Sequence, residues 1–137
     1  MDTGRTDERT AIKAGIDAWI SAVESKDNAL LPRVVAQDAD LVWIGAGAGE
    51  WLAGYEALEQ AMQAQNAALD DIHIEVSAET IHVSAEADMA WATNQWIFNA
   101  RMGDQALALP LRCTWVLEKR QGRWVIVHFH KSAEMPR

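Results

Sequence analysis

The chain has 137 residues, half of them apolar, and a formal net charge of −8. That size suits one domain spanning 1–137, and the apolar share can bury a core without a metal or a disulfide. The acidic balance and scattered basic residues exclude a nucleic-acid surface, and no apolar run is long enough to span a membrane.

The polar start, Met1 to Thr10, lacks the apolar stretch of a signal peptide. Together with the single cysteine, Cys113, this gives the expectation of a cytoplasmic protein. Ile12, Ile16, Trp19, Ile20 and Val23 recur at three- and four-residue spacing, so a helix is expected over about residues 7–25. Asp7 and Glu8 then fall in its first turn, where negative charge suits the helix dipole. Asp27-Asn28 breaks the pattern and caps a short second helix over about 28–36. Leu41-Val42-Trp43-Ile44 reads as a buried strand. Gly45, Gly47 and Gly49 form a loop that lacks the residues of a phosphate cradle. A short strand at Glu50-Trp51-Leu52 leads to a third helix from Tyr55 to Ala68.

From Asp71 the period changes to two. Ile72, Ile74 and Val76 share one parity and Ile81 and Val83 the other, which implies a bulge in a long bent strand. Three more strands follow near 89–101, 106–119 and 123–132, with turns at Ser84–Asp88, Met102–Gln105 and Arg120–Gly122. Lys119, Arg120 and Arg123 flank the last turn as a solvated tip. Helices followed by a meander indicate an α+β fold, with helices on one side of an antiparallel sheet. The last strands are apolar on both parities, so the outer face is expected to be covered by a second copy in a homodimer or larger closed oligomer.

Three stretches carry a family resemblance. The first is Ala18-Trp19-Ile20-Ser21-Ala22-Val23 followed by Lys26-Asp27, and the second is Glu50-Trp51-Leu52-Ala53-Gly54-Tyr55-Glu56-Ala57-Leu58. The third joins Leu109-Pro110-Leu111-Arg112-Cys113-Thr114 to Gly122-Arg123-Trp124-Val125-Ile126-Val127-His128-Phe129-His130 and Ser132. In this order they resemble the SnoaL-like branch of the nuclear transport factor 2-like superfamily, the ketosteroid isomerase-like fold. The resemblance implies a cone-shaped, curved antiparallel sheet packed against N-terminal helices and enclosing a pocket. The ending is also similar to the association domain of calcium/calmodulin-dependent protein kinase two, a non-catalytic oligomerisation hub. The superfamily's ketosteroid isomerases use a tyrosine on the first helix and an aspartate near the end of the first strand. On that pattern Trp19 and Trp43 fall at those positions, and neither can act as a general base.

Seven tryptophans for this length point to a wide core, a pocket or an interface, with Trp19, Trp43, Trp96 and Trp115 as pocket candidates. Tyr55 and Asn94 are the polar candidates beside them. His128 and His130 share a strand face with Ser132, a pattern open to acid/base work, a metal site or structural hydrogen bonding. No third ligand stands at metal spacing, so no metal and no cofactor are expected. A three-residue turn with a bulge at Gly122 sets Arg112 opposite His130 and Thr114 opposite His128, a cluster suited to a carboxylate. A two-residue turn instead pairs Cys113 with His130. Two function readings stand side by side. One is a small-molecule-binding domain with an aromatic apolar pocket, acting as lyase, cyclase or isomerase on a ring-containing substrate. The other is a non-catalytic scaffold.

Overall fold

The computed structural model describes residues 3–136, with side chains from Asp7 onward. Met1, Asp2 and Arg137 lie outside the described residues, as does the side chain of Arg5 from the polar start.

Helix α1 runs Thr3–Ser25, four residues longer at its start than the apolar spacing indicates. Asp7 and Glu8 therefore lie beyond the first turn, which corrects their expected role at the helix dipole. Glu8 instead accepts hydrogen bonds from Lys119 Nζ at 2.6 Å and Trp124 Nε1 at 2.5 Å. These two donors hold its carboxyl below the usual carboxylate range and tie α1 to the last strands. The inner stripe of Ile12, Ile16, Trp19, Ile20 and Val23 is buried as the spacing requires. Lys26 closes the helix in the left-handed region, φ 58°, with Asp27 N–H donating back to Ala22 O at 2.9 Å.

Asp27 accepts from Ala29 N–H at 3.1 Å and caps a 3₁₀ turn, Asn28–Leu30. The helix that follows, α2, is only Leu31–Val34, shorter than the run expected over 28–36. Strand β1 is Val42–Ile44, β2 is Trp51–Ala53 and α3 is Tyr55–Ala68. The long strands are β3, Asp70–Val83, β4, Met89–Met102, β5, Gln105–Arg120, and β6, Arg123–Ser132.

All six strands form one sheet in the order β2-β1-β6-β5-β4-β3. Every pairing is antiparallel except β1 with β6, which is parallel. The sheet is thus mixed rather than antiparallel throughout. β1 joins the last strand across most of the chain, and no local pattern specifies such a pairing. The bulge expected in β3 falls between Ser77 and Thr80, where Ala78 takes φ 53°, and a second irregularity lies between Asp70 and His73. These breaks bend the strand.

One face of the meander is covered and the other is bare. In β4, Ala90, Ala92, Asn94, Trp96, Phe98 and Ala100 are buried, while Trp91, Gln95 and Ile97 are exposed. In β5, Leu111, Cys113, Trp115 and Leu117 are buried and Arg112 and Thr114 exposed. The uncovered face is mixed polar and apolar, less uniform than the sequence pattern suggests.

The β5–β6 hairpin corrects the expected register. Its turn holds two residues, Gln121 and Gly122, both left-handed with φ 52° and 78°, between paired Arg120 and Arg123. This is the type I′ arrangement that fits strand twist, and here glutamine accepts the left-handed region. A bulge then follows at Val127, because Leu117 faces Ile126 while Val116 faces His128. Arg112 consequently pairs with Ser132, Thr114 with His130 and Cys113 with Lys131. Neither anticipated pairing is present, yet Arg112 and His130 still share a face. Among the described residues no helix is long and apolar enough to cross a membrane.

Candidate functional site

A cavity of about 1040 Å³ lies between α3, the β1–β2 loop and the covered face of the sheet. Helix α3 contributes Leu58, Ala61 and Met62, and β5 contributes Leu107, Leu109 and Leu111 from the opposite wall. Trp43 and Phe98 supply aromatic surface. The alternation of β5 and the four-residue spacing of Leu58 and Met62 on α3 explain why these walls are apolar.

The β1–β2 loop forms one rim. Gly45 N–H donates to Glu50 O at 2.7 Å, and the Glu50 side chain folds back over Gly45 and Gly47. A Cβ at either glycine would collide with that side chain, so the glycines make room for a carboxylate at the rim.

Lys131, which the sequence reading did not single out, enters this cavity from β6. The bulge at Val127 is the reason. Trp124 and Ile126 are buried ahead of it, and the extra residue turns Phe129 and Lys131 onto the same covered face. Bulges commonly re-aim side chains in this way. Lys131 Nζ lies 5.9 Å from the Trp96 ring centroid and 5.6 Å from that of Phe98. It is the only basic side chain lining the cavity among the described residues. Desolvation pushes its pKa below the ordinary lysine value, and the charges of Glu50 and Cys113 oppose that shift only in part. Cys113 faces Lys131 across the ladder, and burial pushes its thiol up to about 12, which makes it a poor nucleophile.

The residues marked by the sequence are distributed over three environments. Trp43 lines the cavity, and Trp19 packs behind it with ring centroids 4.6 Å apart. Trp96 and Trp115 lie on the same covered face, both in contact with Phe129. The indole N–H of Trp96 and the hydroxyl of Tyr55 are buried without a partner among the described residues. Desolvation, with Glu59 nearby, raises the Tyr55 pKa. Asn94 is a structural link: its Oδ1 accepts from Trp115 Nε1 at 3.1 Å and its Nδ2 donates to Glu79 Oε2 at 3.1 Å. Glu79 in turn pairs with Lys13 of α1 at 3.1 Å.

Arg112 and His130 lie on the opposite, bare face. There they line a shallow groove of about 400 Å³ with Ser132, Thr114 and Thr93. Arg112 Nε donates to Ser132 Oγ at 3.2 Å and Nη2 to Ala133 O at 3.4 Å, so part of its fork is already engaged. His128 Nδ1 lies 2.7 Å from Val42 O beneath β1. Among the described residues, no three His, Cys, Asp or Glu side chains converge as a metal site.

Residues 12–136 match the family model of the SnoaL-like domain. No curated protein matches the chain significantly. Solved structures show the same fold. A nuclear transport factor 2-like superfamily protein from Salmonella enterica serovar Typhimurium LT2 superposes with a TM-score of 0.86 at 20% identity, covering 96% of this chain and 94% of that one. An NTF2-like protein of unknown function from Pseudomonas putida KT2440 gives 0.80 at 22% identity, covering 96% and 89%. A protein with a cystatin-like fold from Caulobacter vibrioides gives 0.75 at 20% identity, covering 95% and 92%.

Proposed function

We propose that this chain, which belongs to the SnoaL-like domain family, binds an apolar, ring-containing small molecule in the cavity beneath α3. The observation that carries the reading is the cavity itself: about 1040 Å³, walled by leucine, methionine and aromatic side chains, with one amine projecting into it. Ligand sites typically enclose roughly 300–1,000 Å³ with apolar walls and few polar groups, so the space suits a compact polycyclic or ring-bearing molecule. Apolar area removed from water supplies the affinity, and the amine and the Glu50 rim supply orientation.

A general acid and base of the isomerase kind are not part of this reading, because Trp19 and Trp43 stand where the resemblance places them. Arg112, the residue expected to hold a carboxylate, faces away from the cavity, so any acidic group on the ligand would meet Lys131 instead.

The test is a titration with 2-naphthalenemethanol followed by tryptophan fluorescence and thermal melting. Saturable binding should quench Trp43. At about a hundredfold excess over Kd it should stabilise the fold by about 2.7 kcal/mol. Ala61→Trp fills the cavity from α3 and should remove both effects. Saturation left intact in Ala61→Trp, or none in the native protein, would contradict the reading.

A further inference from the structure

The chain has four lysines, and three of them are ion-paired. Lys13 meets Asp17 at 3.3 Å and Glu79 at 3.1 Å, Lys26 meets Asp70 at 3.0 Å, and Lys119 meets Glu8 at 2.6 Å. Lys131 has no hydrogen bond and no ion pair among the described residues, although it is partly buried and lines the cavity. The bulge at Val127 turns it towards the Trp96 and Phe98 rings and the aliphatic walls, with the Glu50 and Glu134 carboxylates also lining the cavity but neither within ion-pair distance.

We propose that Lys131 captures carbonyl compounds as a Schiff base, with an aromatic or polycyclic aldehyde or ketone seated in the cavity as the substrate class. The proposal rests on the occupancy of that cavity by an apolar ring. An amine without a carboxylate partner keeps its lone pair more readily than a paired one. A desolvated lysine in an apolar pocket is activated as a nucleophile by the same physics. The lowered pKa of Lys131 agrees, while the pairing of Lys13 with Glu79 raises that of Lys13.

In the reaction the neutral Nζ attacks the carbonyl carbon. A C–N bond forms, and the C=O π pair moves to oxygen, which is protonated. The carbinolamine then loses that oxygen. The two protons originally on nitrogen leave with it as one water, and a C=N bond remains. No oxidant or reductant takes part. The aldehyde carbon adopts the position nearest Nζ, and its ring occupies the space between Phe98 and the leucines of β5.

The experiment uses 2-naphthaldehyde with cyanoborohydride at neutral pH, followed by intact and peptide mass analysis. One reduced naphthylmethyl adduct is expected, located at Lys131. It should form faster than any adduct on Lys13, Lys26 or Lys119, whose ammonium groups are ion-paired. Excess 2-naphthalenemethanol, which fits the cavity but has no carbonyl, should protect Lys131. Lys131→Met and Lys131→Arg should both lose the adduct. Retained binding of 2-naphthalenemethanol by either variant shows that the fold and cavity persist. If the alcohol saturates the native protein while the aldehyde leaves Lys131 unmodified, or modifies the four lysines equally, the Schiff-base proposal is wrong and the pocket reading stands. If neither probe binds, both fall together.

Discussion

Trp19 and Trp43 pack with ring centroids 4.6 Å apart and planes tilted by 48°. Trp43 continues the contact to Phe129 at 4.8 Å, so the rings form a wall behind the cavity. An indole N–H can donate a hydrogen bond but cannot take a proton from carbon. Trp19 and Trp43 should therefore supply no general-acid or general-base catalysis to the conjugation of a β,γ-unsaturated ketosteroid, followed by absorbance. Enzyme-level turnover that disappears in Trp43→Phe would overturn this.

Lys131 should cost stability in exchange for its reactivity. Its folded pKa lies below the unfolded value of 10.5 because burial disfavours the ammonium. Below the folded pKa both states carry the proton, and the folded state bears the full penalty. Between the folded pKa and 10.5 the unfolded chain holds more protons, so stability rises with pH across that window. Lys131→Met should raise Tm at pH 7 by roughly 2–5 °C. The advantage should shrink as pH approaches 10.5. A loss of stability in Lys131→Met at pH 7 would mean that the ammonium is well paired.

Asp38 and Arg120 form a two-point contact, with Nη1 to Oδ1 at 2.9 Å and Nη2 to Oδ2 at 2.8 Å. The contact fastens the segment before β1 to the β5–β6 hairpin. The hydrogen bonds from Arg120 lower the Asp38 pKa below 3.8, so the contribution is complete above that value and is lost as pH falls through the folded pKa. Asp38→Asn should destabilise by about 0.5–1 kcal/mol, since both groups are partly open to solvent. The difference from the native protein should vanish at acid pH. A difference that persists at pH 2 in urea melts would assign the effect to something other than ionisation.

The bare sheet face exposes Trp91, stacked on His82 at 5.0 Å, and Ile97 beside Arg112, Gln95 and Glu75. A two-fold pairing would set such mixed apolar and charged groups against their own copies, as closed homodimers do. Light scattering at micromolar concentration should report a dimer or larger closed assembly, and Ile97→Glu should shift it towards monomer. A monomer mass that persists as concentration rises would contradict this.

Much of the fold follows from periodicity. The buried stripe of α1, the span of α3 from Tyr55 to Ala68 and the bulge in β3 all have local signals, because burial imposes 3.6- or two-residue spacing. The cavity was less legible. Its key residue lies beyond two irregularities near the end of the chain, glutamine in a type I′ turn and an extra residue at Val127, which set its cross-strand partner as Cys113. Each shifts the register of β6 by one residue, so the two together restore the inward parity of the expected register and displace each partner by two places along β5. His128 and His130 drew attention by residue type, yet the bulge turns them away from the cavity. Lys131 went unnoticed because a lysine near a chain end ordinarily signals solvent. The usable signal was the strict inward alternation of Leu111, Cys113, Trp115 and Leu117, which requires an inward partner on β6 at each step.

The occupancy of the cavity is tested most directly by methionine methyl NMR during titration with 2-naphthalenemethanol. Met62 lines the cavity on α3 and Met135 lines it near the C-terminus, whereas Met89 and Met102 lie exposed at the ends of β4. Binding beneath α3 should shift the Met62 and Met135 resonances together, saturably, and leave Met89 and Met102 in place. Shifts confined to Met89 and Met102, or no saturable shift at Met62, would contradict the account.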